Sequence, residues 1–312
     1  MSVPPPDSPP SVAVIVLNWN GTDDTLECLA SLMRVDYPRC EIVAVDNGSQ
    51  PSPQERIRAA FPSLTYLETA QNLGYAGGNN VGIRHAIAKG HDYAFILNND
   101  TVVASDCLTE AVAVAEADSR IAAVGAKVLA FDDPTQVWVA YGTLTFRKGL
   151  VHLIGYHQAD DGRFDQLRDV QWVPGTAILL RRRALEQVGL FDETFFAYHE
   201  DVDWCTNARE HGWRVVYAPR VRVLHKAHRS SGGSGFVTPR QYLAGRNMVL
   251  FVRKHARWYQ SLQFVVFQIA TLPLQYLWRC VRGEQRGVVL KIRGMLDAIR
   301  GRPLPLEELG LR

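Results

Sequence analysis

AFILNNDTVV, residues 94–103, is the stretch on which the fold prediction depends. Its four apolar residues at 94–97 indicate a strand buried on both faces, as in a parallel sheet. Three polar residues, Asn98, Asn99 and Asp100, follow this apolar run directly. In open α/β sheets, ligands bind beyond the carboxyl ends of the strands, so these polar residues predict a binding site.

Two earlier stretches have the same design. SVAVIVLNWN, residues 11–20, is an apolar run that ends at Asn18, and CEIVAVDNGS, residues 40–49, ends at Asp46. Helical spacing of leucines separates them, and a glycine-rich loop running into a helix, residues 72–90, precedes the 94–97 strand. Alternating strands and helices predict an α/β fold with a mostly parallel central sheet flanked by helices.

The chain divides by pattern into three regions. Residues 1–10, MSVPPPDSPP, predict a disordered proline-rich lead. Residues 11–237 predict the α/β domain, whose later part contains shorter strands such as RVVYAPRVRVLH at 214–225. Residues 238–312 show helical periodicity and predict a C-terminal helical extension.

Residues 261–278 of this extension carry no formal charge, a length that is marginal for crossing a bilayer. Polar side chains form a stripe along one helical face, basic residues flank both ends, and Pro273 interrupts the middle. We interpret the segment as amphipathic and lying on a membrane surface. The alternative, which the sequence leaves open, is a buried helix that packs on the α/β domain. The stripe consists of Ser261, Gln268, Thr271 and Gln275.

Charge and cysteine content limit the partners and the compartment. The formal net charge is +2, but residues 251–312 hold eleven Lys/Arg against four Asp/Glu, which leaves the first 250 residues acidic. An acidic body with a basic tail argues against nucleic acid as the partner. The five cysteines form no CxxC pair and indicate reduced thiols. We therefore predict a cytoplasmic protein, peripheral on the inner face of the plasma membrane.

Polar residues near the first strands indicate a nucleotide site. Asp46 is placed to accept a hydrogen bond from a ribose hydroxyl or a base imide. The backbone amides of the loop with Gly74, Gly77 and Gly78 are placed to approach a diphosphate. The spacing is not GxGxxG, which counts against a nicotinamide enzyme. Asp100 alone has a second interpretation, as the N-cap of a helix that begins near residue 105.

A second acidic group follows an aromatic run in FFAYHEDVDW, residues 195–204. Mutual repulsion among Glu200, Asp201 and Asp203 raises the pKa of one carboxyl and suits it to accept a proton. The alternative is that these residues complement a helix dipole. Further on, His225 ends a strand before a Ser/Gly-rich stretch. It could join Asp100 and phosphate oxygens around a divalent metal, and manganese accepts imidazole more readily than magnesium does.

These motifs together resemble the family 2 glycosyltransferases, inverting enzymes of the GT-A fold, and in particular a rhamnosyltransferase-like branch. The resemblance runs in order over about residues 11–250. It rests on VAVIVLNWNG, VAVDNGS, NLGYAGGNNVGI, FILNNDTVV, the long segment from VPGTAILL to NAREHGW, and VLHKAHRSSGG. The DXD metal motif of the family corresponds to residues 98–100, with Asn98 in place of the first Asp.

The resemblance implies a role for each matching position. Asp201 would be the catalytic base with Glu200 as a supporting carboxylate, and Asp100 and His225 would bind Mn2+ or Mg2+. Trp172 has an open alternative as a plain core residue. The residues implied to bind the nucleotide sugar are Asn18, Asn20, Asp46, Asn72, Gly74, Gly78, Asn79, Arg84, Asn99, Trp172, Gly175 and Thr176.

The resemblance also implies the reaction. We expect transfer of a sugar, plausibly L-rhamnose from dTDP-rhamnose, to a glycan or a polyprenyl-diphosphate-linked acceptor in cell-surface polysaccharide synthesis. Two alternatives are a sugar nucleotidyltransferase and a non-catalytic scaffold of a polysaccharide assembly complex. The first needs a basic glycine-rich signature near the first strand, where LNWNGTDD has no Lys or Arg. The second would be indicated by loss of Asp100 or Asp201, and both are present.

Overall fold

The computed structural model describes residues 8–146, 150–226 and 236–312. Most of the predicted lead and most of the Ser/Gly-rich stretch after His225 therefore lie outside the described residues. The strands are β1 (Val12–Asn18), β2 (Cys40–Asp46), β3 (Thr65–Glu68), β4 (Tyr93–Asn98), β5 (Thr101–Val103), β6 (Ile121–Ala130), β7 (Gln136–Val139), β8 (Tyr141–Leu144), β9 (Val151–Ile154), β10 (Gln158–Ala159), β11 (Arg168–Asp169), β12 (Ala177–Arg181) and β13 (Arg214–His225). The helices are α1 (Thr22–Leu32), α2 (Gln54–Ala60), α3 (Gly74–Ala88), α4 (Cys107–Glu116), α5 (Arg182–Val188), α6 (Glu200–Glu210), α7 (Pro239–His255), α8 (Trp258–Cys280) and α9 (Gln285–Ile299), with a 3-10 turn at Glu193–Phe195.

The main sheet has the order β10-β7-β6-β12-β4-β1-β2-β3, and β13 continues it beside β6. The strands β3, β2, β1 and β4 run parallel to one another, whereas β12 is antiparallel to both β4 and β6. The α/β prediction with a mostly parallel central sheet is therefore confirmed.

The uninterrupted apolar run of β1 has a simple cause in its position. Alternate residues Val12, Val14 and Val16 pack into the hydrophobic cluster on one face of the sheet, beside α1 and α4. Ala13, Ile15 and Leu17 pack into the cluster on the other face, beside α3. A strand covered on both faces has no solvent side, so it carries no alternation of polar residues.

The register of the parallel strands brings their polar ends together. Asn18 at the end of β1 lies opposite Asp46 at the end of β2, and Leu17 lies opposite Asn98 at the end of β4. The carboxyl edge of the sheet is therefore lined by polar side chains from neighbouring strands, as the sequence predicts. Asp100 is not the N-cap of the following helix, since α4 begins at Cys107 after Asp106.

The predicted glycine-rich loop is largely helical, which corrects the sequence interpretation. Gly77 and Gly78 lie in the first turns of α3. A Cβ on Gly78 would come within 2.5 Å of a Leu17 methyl carbon, so this glycine allows the helix to lie close against β1. Gly74 has a φ of +74°, and a Cβ there would clash with the carbonyl oxygen of Phe196. Packing and backbone conformation explain both glycines.

The predicted boundary at residue 237 does not separate two hydrophobic cores. Helix α7 follows it directly and packs on the α/β domain, where Met248, Val249, Phe251 and Val252 share a cluster with Phe195 and Trp204. Residues 239–255 are thus integral to the main body.

The structure does not agree with the alternative that residues 261–278 form a buried helix. It buries only Phe264 and Gln268 of its 23 residues, and it continues through Pro273 without a break in the helix. Its predicted polar stripe is the better-covered side, with Gln268 5% exposed, while Ile269 is 70% exposed and Leu277 62%. The apolar side of α8 therefore faces solvent. In the described parts of the chain, no helix is both long and apolar enough to span a bilayer.

Candidate active site

The side chains of Asn98 and Asn99, at the end of β4, have different surroundings. Asn99 turns back toward the start of α1, where its amide nitrogen donates to Thr25 Oγ1 at 3.0 Å and to the Gly21 carbonyl at 3.3 Å. Among the described residues, no hydrogen-bond donor reaches the buried Oδ1 of Asn98. Asn99 thus braces the strand end, and a direct contact with a nucleotide sugar remains a prediction.

Asp100 and His225 come together from two strands that sequence separates by more than a hundred residues. His225 ends β13, which pairs with β5 just after Asp100, and the His225 Nε2 lies 3.1 Å from Asp100 Oδ1. Both side chains are buried. The backbone amide of Lys226 donates to the Asp100 carbonyl at 2.9 Å, which fixes the two strands at this point.

This pair fits a divalent cation bound jointly by protein and substrate. A carboxylate and an imidazole are suitable ligands, and the orphaned Asn98 oxygen at the end of the same strand is a third candidate. In the described ranges, His, Cys, Asp and Glu side chains do not form a group of three or more suited to a metal ion. Such ions commonly use one or two protein carboxylates and take further oxygens from substrate phosphates.

The acidic pair stands at the first turn of α6. Asp201 Oδ2 accepts a hydrogen bond from the Gly175 amide at 2.8 Å, and its Oδ1 accepts one from the Val202 amide, also at 2.8 Å. Two backbone donors hold the carboxylate in one orientation. Glu200 beside it is buried, and none of the described residues donates a hydrogen bond to its Oε2.

Burial governs the protonation of this pair. It raises the pKa of Asp201, while the two amide donors oppose the shift. Burial raises the pKa of Glu200 well above its ordinary value, and the neighbouring Asp201 charge adds to the effect. A carboxyl with a raised pKa is a stronger proton acceptor when ionised, which is the property a general base near neutrality requires.

Tyr75 connects the acidic pair with the end of β4. Its hydroxyl donates to the Gly175 carbonyl at 2.7 Å. Burial raises the pKa of that hydroxyl well above its ordinary value, and the negative charges of Glu200, Asp201 and Asp100 raise it further. Because Gly175 also binds Asp201 and the adjacent Thr176 binds the backbone of Asn98, the acidic pair and the end of β4 lie in the same region of the molecule.

The third acid of the cluster has a structural role. Asp203 is 2% exposed and points toward α7, where its Oδ2 accepts from Lys254 Nζ at 2.9 Å and its Oδ1 lies 2.8 Å from His255 Nε2. Two partners from another helix occupy both oxygens. The alternative interpretation of first-turn acids as structural thus applies to Asp203.

The backbone of residues 173–176, VPGT, connects the acidic pair with the end of β4. Gly175 binds Asp201 and Tyr75, and the Thr176 carbonyl accepts from the Asn98 amide at 3.0 Å. Trp172 is 3% exposed, and its ring lies so close to Gly142 that an added Cβ there would sit 1.9 Å from it. The core alternative therefore describes Trp172, and a sugar contact would require it to move.

The predicted nucleotide side is a network of polar groups at the edge of β1 and β2. Asp46 is fully buried, and its Oδ1 accepts from Asn18 Nδ2 at 2.7 Å and from Ser49 Oγ at 2.6 Å. Ser49 Oγ in turn accepts from the amide of Asn20, whose φ is +55°. Contact between Asp46 and a nucleotide would require exchange of one of these bonds, so it remains a prediction.

Three further predicted residues lie along α3 or just before it. Asn72 Oδ1 accepts from the Gly74 amide at 2.8 Å, and its Nδ2 donates to the Leu311 carbonyl at 2.9 Å. Asn79 is fully buried within the helix. Arg84 lies ten residues down α3, about 15 Å from the start of the helix, and forms an ion pair with Glu193 at 2.7 Å, so its contact with a nucleotide sugar stays a prediction.

Sequence reasoning missed Tyr75 and the contacts from α7. Tyr75 lies within the quoted motif NLGYAGGNNVGI, yet nothing in the spacing shows that its hydroxyl reaches a segment one hundred residues later. Lys254 and His255 carry no motif at all.

Comparisons with known proteins identify the family of the chain. The family model described as "Glycosyltransferase like family 2" matches residues 9–261. The chain is similar to the N-acetylglucosaminyl-diphospho-decaprenol L-rhamnosyltransferase of Mycobacterium tuberculosis, with 26% identity over 253 residues, 75% of this chain and 81% of the relative. It is also similar to the dTDP-rhamnosyl transferase RfbF of Shigella flexneri, with 22% identity over 93% of this chain and 96% of that protein.

The fold has counterparts among solved structures. One is the mannosyltransferase PcManGT from Pyrobaculum calidifontis, solved in complex with GDP-Man and Mn2+. The two chains align with a TM-score of 0.59 and 21% identity, covering 95% of this chain and 89% of the other. At that identity the likeness shows a common fold.

Proposed function

The chain belongs to the family 2 glycosyltransferases and has their GT-A fold, and from this premise we propose that it transfers L-rhamnose from dTDP-rhamnose to a polyprenyl-diphosphate-linked glycan. Family membership does not favour the nucleotidyltransferase or the scaffold alternative. The donor and acceptor follow from what the two similar transferases are named for.

The observation that carries the proposal is the convergence of contacts on Gly175 and Thr176. The Tyr75 hydroxyl donates to the Gly175 carbonyl, and the Gly175 amide donates to Asp201. The next residue, Thr176, accepts from the Asn98 amide at the start of the metal motif. A nucleotide sugar whose diphosphate lies near Asp100 would therefore present its anomeric carbon toward Asp201. An inverting displacement requires this arrangement, with the leaving group on one side of the sugar and the proton acceptor on the other.

Asp201 would act on the acceptor. It removes the proton from an acceptor hydroxyl while that oxygen forms its bond to the anomeric carbon. The bond between the anomeric carbon and the diphosphate oxygen breaks at the same time, and the nucleoside diphosphate departs with both electrons. The Gly175 and Val202 amides keep the Asp201 carboxylate in place during this step.

Asp100 and His225 would hold Mn2+ or Mg2+ in this reaction. A bound divalent ion neutralises negative charge on a departing diphosphate. Asp100 supplies a buried carboxylate, and the pairing of β13 with β5 keeps His225 beside it. Asn98 carries its uncommitted amide oxygen at the end of the same strand.

The exposed surface of helix α8 supports the proposal that the acceptor is linked to a lipid. Its exposed apolar side includes Leu262, Val265, Val266, Ile269, Leu274, Leu277 and Trp278. Basic residues stand at its two ends, including Arg257 and Arg282. An apolar helical face flanked by cations fits the interface of a membrane with anionic lipids. We therefore propose that α8 holds the enzyme on the inner face of the plasma membrane, beside its acceptor.

A vesicle experiment tests the membrane contact. Ile269→Glu and Leu277→Glu place charges on the exposed face without disturbing a buried group, and Met33→Glu is the matched control, since Met33 is 53% exposed on the α/β domain. Cosedimentation with anionic vesicles should fall at least tenfold for the two α8 variants and stay unchanged for the control. An equal loss of vesicle binding in all three variants, or no loss of binding in the two α8 variants, would contradict the proposal.

A donor panel tests the reaction. The purified protein is mixed with nucleotide sugars and a polyprenyl-diphosphate-linked acceptor, with and without Mn2+, and release of free nucleoside diphosphate is measured. We expect metal-dependent release with dTDP-rhamnose. Release with a different donor would revise the sugar, and absence of release with every donor would refute the transferase assignment.

A further inference from the structure

The backbone just before the acidic pair adopts an uncommon conformation. Phe196, Tyr198 and His199 have φ values of +63°, +68° and +73°, although none of them is glycine. L-residues with a Cβ avoid this region, and they remain there only when surrounding contacts hold them. His199 is the N-cap of α6, and Glu200 and Asp201 follow at once. The orientation of both carboxyls therefore depends on what holds residues 195–199.

One side chain from α7 restrains this segment at three points. Asn247 is fully buried, and its Nδ2 lies 2.9 Å from the carbonyl of Phe195, 2.7 Å from that of Ala197 and 2.7 Å from that of Tyr198. The amide has two hydrogens, so two of these carbonyls share one of them. Its Oδ1 lies 3.4 Å from Arg246 Nη1. Three carbonyl acceptors require a donor, so the amide can take only this orientation.

Neighbouring contacts make α7 a support for the whole segment. Arg246 Nη1 donates to the Thr194 carbonyl at 2.6 Å. Two turns further along α7, Lys254 and His255 bind Asp203 in α6. The Asp203 amide donates to the His199 carbonyl at 2.8 Å, which closes the first turn of α6. Helix α7 thus contacts the segment before the acids and the helix turn after them.

We propose that Asn247 is a positioning residue for the proton-accepting pair Glu200 and Asp201. The inference rests on the proposed function, and it assigns to α7 a part in catalysis although α7 contributes no group to the chemistry. Loss of the Asn247 hydrogen bonds would release Phe196, Tyr198 and His199 from their positive-φ conformations. The two carboxyls would then lose their alignment with the acceptor hydroxyl, while residues near Asp100 would keep their geometry.

The test compares Asn247→Ala and Asn247→Asp with Tyr242→Phe. Tyr242 is also buried on α7, and its hydroxyl donates to Asp297 Oδ2 at 3.0 Å. The control removes this buried hydrogen bond from the same helix, while the phenylalanine ring keeps the packing beside Phe196. We expect a loss in kcat of about a hundredfold for Asn247→Ala, since a displacement of about 1 Å has that effect. Asn247→Asp should lose more, because a carboxylate would face three carbonyl oxygens.

The readouts separate positioning from simple destabilisation. Donor Kd should change less than threefold, the acidic limb of the kcat profile should shift to lower pH as the acids gain solvent, and hydrogen exchange at residues 195–201 should accelerate. Tyr242→Phe should match the loss in Tm but retain kcat. Wild-type kcat and unchanged exchange in Asn247→Ala would overturn the inference. A wild-type protein inactive with every donor would instead refute the proposed function, and the exchange measurement would still decide whether Asn247 restrains the segment.

Discussion

Replacing Asp201 with Asn is the most direct test of the proposed chemistry. The carboxylate accepts one hydrogen bond at each oxygen, from Gly175 and from Val202. Asparagine has nearly the same shape but a single acceptor oxygen, so one of the two amides would face its Nδ2. The variant removes the proton acceptor and leaves Asp100 and His225 intact.

The expected magnitudes are separable. A general base contributes about 10²–10⁴-fold to rate, so kcat should fall by that factor, equivalent to about 3–5 kcal/mol in the barrier. One unsatisfied buried amide costs about 1–3 kcal/mol of stability. The second effect is partly offset, because the amide also removes the cost of a buried carboxylate.

The assay measures single-turnover transfer and donor affinity side by side. Asp169→Asn is a matched control, since Asp169 is an exposed acid that pairs with Arg214 away from the acidic pair. Donor Kd should stay within about threefold of wild type in both variants. Turnover in Asp201→Asn within fivefold of wild type would refute the assignment. Glu200 would then be the remaining candidate, because Lys254 and His255 already engage Asp203.

Three further predictions concern metal, protons and packing. Asp100→Ala should weaken donor binding about 10–100-fold in the presence of Mn2+ and much less after chelation, as calorimetry can measure; equal affinity with and without metal would contradict this role. Glu200→Gln should flatten the pH dependence of folding stability. Burial raises the pKa of Glu200 in the folded protein, so the folded state favours the protonated carboxyl. In the wild type, folding stability therefore falls as the pH rises from about 4.5, where the carboxyl ionises in the unfolded chain, through the pKa of the folded state. Urea unfolding at pH 4–8 would show that fall in wild type and a smaller one in the variant. Gly78→Ala should lower stability by about 1–3 kcal/mol through its contact with Leu17 without changing nucleotide affinity of the folded protein; a selective loss of affinity would restore the predicted phosphate contact.

The fold could be predicted because its signals are local. Each of β1, β2 and β4 contains an unbroken apolar run, at residues 12–17, 42–45 and 94–97, and a strand buried on both faces produces that pattern wherever it occurs. The polar ends were predictable for the same reason, since parallel strands end at a common edge. The glycines of α3 leave two interpretations open, because close packing and phosphate binding both favour glycine.

The candidate site was predictable in its members but not in their contacts. Sequence grouped Glu200, Asp201 and Asp203 by proximity along the chain, but helical geometry turns Asp203 toward α7 and away from the other two. Likewise, the sequence does not show that Arg84 pairs with Glu193, which lies 109 residues further along the chain. These contacts join residues that are more than 50 positions apart in the chain, so no local sequence pattern predicts them.

The packing of α7 has a consequence for how this protein can be shortened. A version ending at residue 237 would lose the ring of Phe251, which is fully buried, and loss of one buried aromatic typically removes about 3–5 kcal/mol, a large share of the whole stability of a domain. A version ending shortly after His255 would keep that ring but would remove α9, whose Met295 and Ala298 share a hydrophobic cluster with Phe251 and whose Asp297 accepts a hydrogen bond from Tyr242. The apolar surface of α8 is therefore better reduced by substitutions on its exposed face than by truncation of the chain.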